Sequence, residues 1–244
     1  MDKSQVMRSN VDIRQADRAM SLKTWWALPF ILPLSRRLVV LVVNHTCISP
    51  NQITLTALFL RLFTAGCFLT GDRAGMIAGA LSYYLAYVCD CADGTVARLT
   101  GQTSEFGRYL DHVADLVGDL LILTSLSWTL GMLLTPMIMA MLFMQIAECY
   151  ISYLAGFALS PKHEPKSSNR LFNLFNSYRD WWFNRNIKSF LSFPDYCAFI
   201  FVFCPLFDHA EFGLKVGFFF LLFECLYTVL STFVSIHTGR RYFP

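Results

Sequence analysis

The stretch that decides the fold is "DCADGTVARLTGQTSEFGRYLDHVAD", residues 90–115. Asp90 and Asp93 stand three residues apart and Ala97 follows four later, so all three share one helical face, with Gly94 beside Asp93. Beyond the polar linker "LTGQTSEF" (99–106), Gly107, Asp111 and Asp115 recur at every fourth position, and Asp119 continues the row. So short a linker, with a glycine suited to a turn, makes the two helices antiparallel neighbours and brings their acidic faces together near one end.

The surroundings of this stretch are apolar. The 244-residue chain is 55% hydrophobic and 15% charged, with a mean hydropathy of +0.45, which is the profile of a membrane protein. A spanning helix needs about 20 largely apolar residues. Six stretches approach that length: roughly 51–71, 75–97, 107–131, 135–159, 190–207 and 212–236, the fifth being the shortest. The expected fold class is therefore an all-α integral membrane protein with six transmembrane helices.

Basic residues collect on alternate connections. The segment 161–188 carries Lys162, Lys166, Arg170, Arg179, Arg185 and Lys188, and both ends of the chain are basic, whereas the connections near 71–75, 131–136 and 208–213 contain only Arg73. The positive-inside rule then places both termini and the 161–189 loop in the cytoplasm. Within the lead-in "TWWALPFILPLSRRLVVLVVN" (24–44), Pro29, Pro33, Arg36 and Arg37 argue for an amphipathic helix in the membrane interface rather than a seventh span or a signal sequence. The first twenty residues are polar and read as mobile or loosely helical. The chain divides into a cytoplasmic N-terminus and juxtamembrane helix (1–46), a six-span domain (47–239) and a short cytoplasmic tail (240–244).

Eight cysteines, Cys47, Cys67, Cys89, Cys91, Cys149, Cys197, Cys204 and Cys225, form no CxxC pair and fall mostly in apolar segments, so they read as small buried hydrophobes. A net charge of +3, with its bases following the membrane surface, gives no support to nucleic-acid binding. Trp181 and Trp182 read as interface anchors rather than an aromatic cage for a quaternary amine. His45, His163, His209 and His237 lie in loops or at span ends and make no ligand set.

Carboxylates gathered in a low-dielectric setting repel one another, and each costs at least about 2.5 kcal/mol at mid-membrane. A divalent cation neutralises them, and an all-oxygen donor set selects Mg²⁺ or Mn²⁺. Four aspartates can hold two such ions. A magnesium site facing the cytoplasm points to a nucleotide or diphosphate ligand, and Gly94, Ala97 and Gly107 leave a gap able to admit a base or ribose. The alternative use of such small residues is close helix packing. Arg98, at the cytoplasmic end, either meets a phosphate or snorkels to headgroups.

At every fixed position the stretch matches D-x2-D-G-x2-A-R-x8-G-x3-D-x3-D, and in this it resembles the CDP-alcohol phosphotransferase family. The likeness extends upstream to "ISPNQIT" (48–54) and covers residues 35–120, while the carboxy-terminal half matches only in hydropathy. The resemblance implies displacement of CMP from a CDP-linked donor by an alcohol, in phospholipid biosynthesis, at the cytoplasmic face of the membrane. It implies that Asp90, Asp93, Asp111 and Asp115 ligate two divalent ions, Mg²⁺ or Mn²⁺, and that Gly94, Ala97, Arg98 and Gly107 line the nucleotide site. Asp115 would also take the proton from the acceptor hydroxyl. The family likeness implies a homodimer as well.

Two cues to the acceptor conflict. His112, directly after Asp111, resembles the choline and ethanolamine branch of the family. The lead-in from Leu34 to Thr54 resembles instead prokaryotic members that transfer phosphatidyl groups to polyols or polyol phosphates. The favoured reading is CDP-diacylglycerol as donor, a small polyol or polyol phosphate as acceptor, and a prokaryotic inner or plasma membrane. Arg108 and His112 are the candidate acceptor contacts, with Lys162, Lys166, Arg170 and Arg185 candidates by topology alone.

Arg61, Glu148 and Glu224 fall near the middle of their spans, outside the motif. Intramembrane charges need partners, and equal depth predicts that Arg61 pairs with Glu148 or Glu224, with Gln145 assisting. Asp195, just after Pro194, either faces the mouth of the site or serves its own helix N-terminus. The rival of a different class is a cation-coupled transporter, which expects its acids near the midplane and its helices discontinuous.

Overall fold

The structure is a computed structural model that describes residues 11–20, 24–158 and 169–239, and among these every regular element is a helix. Three helices build the site. Helix α3 (Pro50–Leu69) opens on a capping box in which Ser49 and Gln52 satisfy one another's backbone amides, with Pro50 in the first turn. Helix α4 (Arg73–Thr100) starts from the Asp72 cap and ends at Gly101, whose φ of +67° is the left-handed conformation that glycine adopts without strain. Helix α5 (Glu105–Thr129) follows at once, its Ser104 cap accepting the Gly107 amide at 2.9 Å. The expected tight turn between the acidic helices is therefore present, and α3 packs along both of them.

Behind this trio, α6 (Pro136–Ala158) packs against α10 (Ala210–Thr238) and α5. The helical run Phe193–Leu206, made of α8 (Phe193–Ala198), a π-helical turn at Phe199–Phe203 and α9 (Cys204–Leu206), wedges between α4 and α10. Close approach there depends on small residues. A Cβ on Gly213 would stand 2.5 Å from Cys204 Cβ, and one on Gly217 2.5 Å from Ile200 Cγ2. Arg73 fastens the start of α4 to this run by donating to the Pro205 carbonyl at 2.6 Å and to that of Leu206.

By length and composition four helices can cross a membrane: Ala27–His45, Pro50–Leu69, Pro136–Ala155 and Ala210–Thr238. The last three are the first, fourth and sixth expected spans. The second and third are the long helices α4 and α5, whose acids and bases lower their apolar content. The fifth is the short run Phe193–Leu206. Helix occupies each of the six expected stretches among the described residues, but only three of the six qualify as spans by length and composition, and the fourth qualifying helix, Ala27–His45, is the lead-in expected to lie in the interface.

The juxtamembrane region is helical from Ala27 to His45. Pro29 falls in a π-helical turn (Ala27–Ile31) and Pro33 in the first turn of α2 (Leu32–His45), so neither breaks the helix. It lies along α4, with Leu32, Val39 and Val42 buried. Ahead of it, α1 (Ile13–Ala19) is a capped helix, and residues 1–10 lie outside the described residues. Asn44 exchanges two hydrogen bonds with the Val11 backbone, at 3.0 and 2.9 Å. Arg36 pairs with Asp17 at 2.7 Å, and Arg98 Nε donates to the Ala19 carbonyl at 2.7 Å.

Part of the basic 161–188 segment forms α7 (Arg170–Phe183), while Lys162, His163 and Lys166 lie outside the described residues, as does the tail 240–244. Of the two tryptophans, Trp182 is buried among Trp25, Tyr178 and Phe190, and Trp181 is half exposed with the Arg185 guanidinium 3.7 Å over its ring. Asp195 caps its own helix through Ser192 and accepts the Trp26 amide at 2.8 Å, so its carboxylate is spent on structure. All eight cysteines are free thiols.

Candidate active site

The face of α4 bearing Asp90 and the face of α5 bearing Asp111 and Asp115 meet as their spacing requires. One carboxylate oxygen from each of these three lies within 4.8 Å of the others. Asp93 stands slightly apart. Its Oδ2 accepts a 2.6 Å hydrogen bond from Thr54 Oγ1 of α3, and its Oδ1 accepts the amide of Gly94. Asp119 lies one turn beyond Asp115, with Cys197 Sγ 3.6 Å from its Oδ2.

A cation from the protein stands inside this cluster. Arg61 of α3 is 3% exposed and reaches Asp115 Oδ1 at 2.6 Å, Asp90 Oδ1 at 3.4 Å and Asp119 Oδ1 at 3.5 Å. This corrects the expected partner, since Arg61 makes no ion pair with Glu148 or Glu224 among the described residues. Estimated depth along a helix axis misjudged how far a guanidinium on a four-bond stem reaches toward the acidic end. Room for the stem comes from Gly118 of α5, where a Cβ would stand 2.4 Å from Arg61 Cδ.

Two like charges 4 Å apart repel by about 4 kcal/mol at an effective dielectric near 20. With the three carboxylates ionised, one guanidinium leaves the cluster with a net charge of about −2, which a divalent cation would neutralise. The donor set is all oxygen and partly open, which fits a hard divalent ion such as Mg²⁺ or Mn²⁺ and not a thiolate-seeking one. Asp90, Asp111 and Asp115 are the residues placed to hold such an ion, with Asp93 able to join from the side.

Cavities open on both sides of the cluster. The larger, about 710 Å³, is lined by Asp93 and Asp111 and by all four expected nucleotide-site residues, Gly94, Ala97, Arg98 and Gly107. A Cβ on Gly107 would stand 3.0 Å from Asn51 Oδ1, and one on Gly94 3.3 Å from Arg98 Nη1, so both glycines let these polar side chains pack close along the cavity wall. The smaller, about 240 Å³, is lined by Asp90, Asp115, Asp119 and Arg61, by His112 and Leu116 of α5, and by Gln145, Glu148, Ser152 and Lys188.

The two candidate acceptor contacts separate. Arg108 lines the larger cavity and pairs with the exposed Glu105, whereas His112 lines the smaller one, its Nε2 3.3 Å from Cys149 Sγ. Sequence reasoning missed Asn51 and Thr54, which sit three apart on α3 and both face the larger cavity. Their signal was the segment "ISPNQIT", read for its likeness and not for its polar side chains. Gly118 was missed as well, although it lies three residues after Asp115 on α5.

Comparison with known proteins gives a consistent result. Residues 47–230 match the model of a family described as CDP-alcohol phosphatidyltransferase. A CDP-diacylglycerol–serine O-phosphatidyltransferase of Encephalitozoon cuniculi is 31% identical over 116 residues, 45% of this chain and 29% of that protein. An archaetidylinositol phosphate synthase of Pyrococcus horikoshii is 34% identical over 76 residues, 31% of this chain and 39% of that one. The chain thus spans well under half the length of either relative. The crystal structure of Mycobacterium tuberculosis phosphatidylinositol phosphate synthase with CDP-DAG bound superposes with a TM-score of 0.51 at 19% identity, covering 82% of this chain and 92% of that one. That likeness is one of fold.

Proposed function

The chain belongs to the CDP-alcohol phosphatidyltransferase family, and from that premise we propose that it transfers a phosphatidyl group from CDP-diacylglycerol to a hydroxyl of a small polar alcohol and releases CMP. The observation that carries this reading is the partition: a carboxylate cluster stands between one cavity of nucleotide size and a second, smaller one. Pockets for drug-sized ligands run to roughly 300–1,000 Å³. The CDP moiety fits the larger space and a compact acceptor the smaller.

The chemistry follows from which carboxylate faces which side. Asp115 faces the smaller cavity and is anchored by Arg61, so it is placed to take the proton of an acceptor hydroxyl held there. The freed oxygen forms a bond to the phosphorus that carries the lipid. The bond from that phosphorus to the bridging diphosphate oxygen breaks, and CMP leaves with the electron pair. Divalent ions held by Asp90, Asp111 and Asp115, two by analogy with the family likeness, supply charge neutralisation to the diphosphate when bound. Asp93, fixed by Thr54, lines the larger cavity beside Gly94 and holds that end of the nucleotide site. Arg98 lines the same cavity and offers its guanidinium to a phosphate. Positive-inside bias supports a cytoplasmic site.

The test is CMP release by the purified protein in detergent with Mg²⁺ and CDP-diacylglycerol, acceptors being added one at a time. CMP formed in an acceptor-dependent way supports the reading. No CMP with any alcohol, nor from other CDP-linked donors, overturns it.

A further inference from the structure

On the smaller cavity α6 presents two buried residues that carry hydrogen-bond acceptors. Gln145 of α6 is 1% exposed, and its Nε2 donates to Tyr196 Oη at 3.2 Å while its Oε1 is buried with no partner. Glu148, one turn further along the same face, is 6% exposed. Its Oε1 accepts from Ser152 Oγ at 2.8 Å, and among the described residues it forms no ion pair. Among the described residues the amide oxygen lacks a donor, and the buried carboxylate has one hydroxyl donor and no counter-charge.

The cations of the cavity wall are already engaged. Arg61 is shared among Asp115, Asp90 and Asp119, and Lys188 interacts with Glu224. A phosphorylated acceptor would bring about two further negative charges into a space whose walls already hold Asp119 and Glu148. The volume of about 240 Å³ also favours a molecule of few heavy atoms.

We infer that this cavity takes an acceptor alcohol bearing a protonated amino group, with Glu148 and Gln145 Oε1 receiving the ammonium and so presenting the hydroxyl to Asp115. This rests on the phosphatidyl-transfer reading and narrows it from polar alcohols in general to amino alcohols. Glu148 is then a specificity residue for the acceptor and makes no contact with the nucleotide.

The experiment uses the full chain in detergent with Mg²⁺ and CDP-diacylglycerol. The acceptors are ethanolamine, L-serine, the amine-free ethylene glycol, inositol 1-phosphate and glycerol 3-phosphate. CMP release is expected with an amino alcohol and is expected to fall at least about tenfold when the amine is absent, because a charge-assisted hydrogen bond is lost. Glu148→Gln is expected to raise the acceptor KM about ten- to hundredfold while leaving the KM for CDP-diacylglycerol unchanged. CMP release with phosphorylated polyols alone overturns the inference and leaves the transferase reading intact. So does an unaltered acceptor KM in a Glu148→Gln protein of normal donor KM. No CMP with any acceptor overturns the transferase reading beneath it. The acceptor series on the unmodified protein decides the matter even if the variant fails to fold.

Discussion

Arg61 Nη1 lies 2.6 Å from Asp115 Oδ1, so the carboxylate facing the smaller cavity is paired with a cation of the protein itself. The same guanidinium reaches Asp90 and Asp119, which makes it the one protein cation shared by both acidic helices among the described residues. Of its partners Asp119 is buried, at 8% side-chain exposure, while the Asp115 side chain is 39% exposed to the cavity, so removing the guanidinium strands Asp119 above all in a low-dielectric interior.

Arg61→Gln should therefore destabilise the helical trio by about 3–5 kcal/mol in the absence of divalent ions. Mg²⁺ should restore part of that loss, because the stranded carboxylates gain another counter-charge. Thermal unfolding in detergent, with chelator and with Mg²⁺, measures it. The Mg²⁺-induced rise in Tm is expected to be larger in the variant than in the unmodified chain, and equal rises would argue against Arg61 as the internal counter-ion.

Asp115→Asn keeps the shape of the side chain and removes its capacity to take a proton. Acceptor-dependent CMP release should be abolished, while binding of CDP-diacylglycerol is partly retained through Asp93 and the nucleotide-side residues. Turnover equal to that of the unmodified protein would remove Asp115 from the mechanism.

The motif was legible because helical spacing fixes faces. Positions 90, 93 and 97, and 107, 111 and 115, needed only a short linker to become opposing walls. The third wall was not legible in the same way. Arg61 and Thr54 come from a helix separated in sequence by 29 and 39 residues from the aspartates they hold. A periodicity argument says which face a residue is on and not which neighbour that face meets. Pro29 and Pro33 fit within the helical lead-in because a π-helical turn and a first-turn position absorb prolines that would break a helix interior.

Thr54→Val deletes the 2.6 Å hydrogen bond to Asp93 at nearly constant volume. Hydrogen bonds to a charged group are worth about 1.5–3 kcal/mol. Freed from Thr54, Asp93 loses its fixed orientation toward the larger cavity. The KM for CDP-diacylglycerol should rise about tenfold or more, with the acceptor KM little changed, in steady-state assays of CMP release. An effect confined to the acceptor KM would place Asp93 on the other side of the partition.

Gly118→Ala tests whether the path of Arg61 across α5 matters. The added Cβ would meet Arg61 Cδ at 2.4 Å and Arg61 Cβ at 3.0 Å, atoms of the stem and not of its mobile end, so the side chain has to be displaced or the helices parted. Overpacking of this kind costs about 1–3 kcal/mol, and displacing the guanidinium also loosens Asp115. Both Tm and CMP release should fall. Gly66→Ala on α3 is the matched control, because a Cβ there meets nothing within 4 Å. It should leave CMP release unchanged and cost no stability, since alanine is the better helix former. Equal losses in the two variants would mean that any added methyl disturbs this bundle. A loss in Gly118→Ala alone ties activity to the gap through which Arg61 reaches the aspartates.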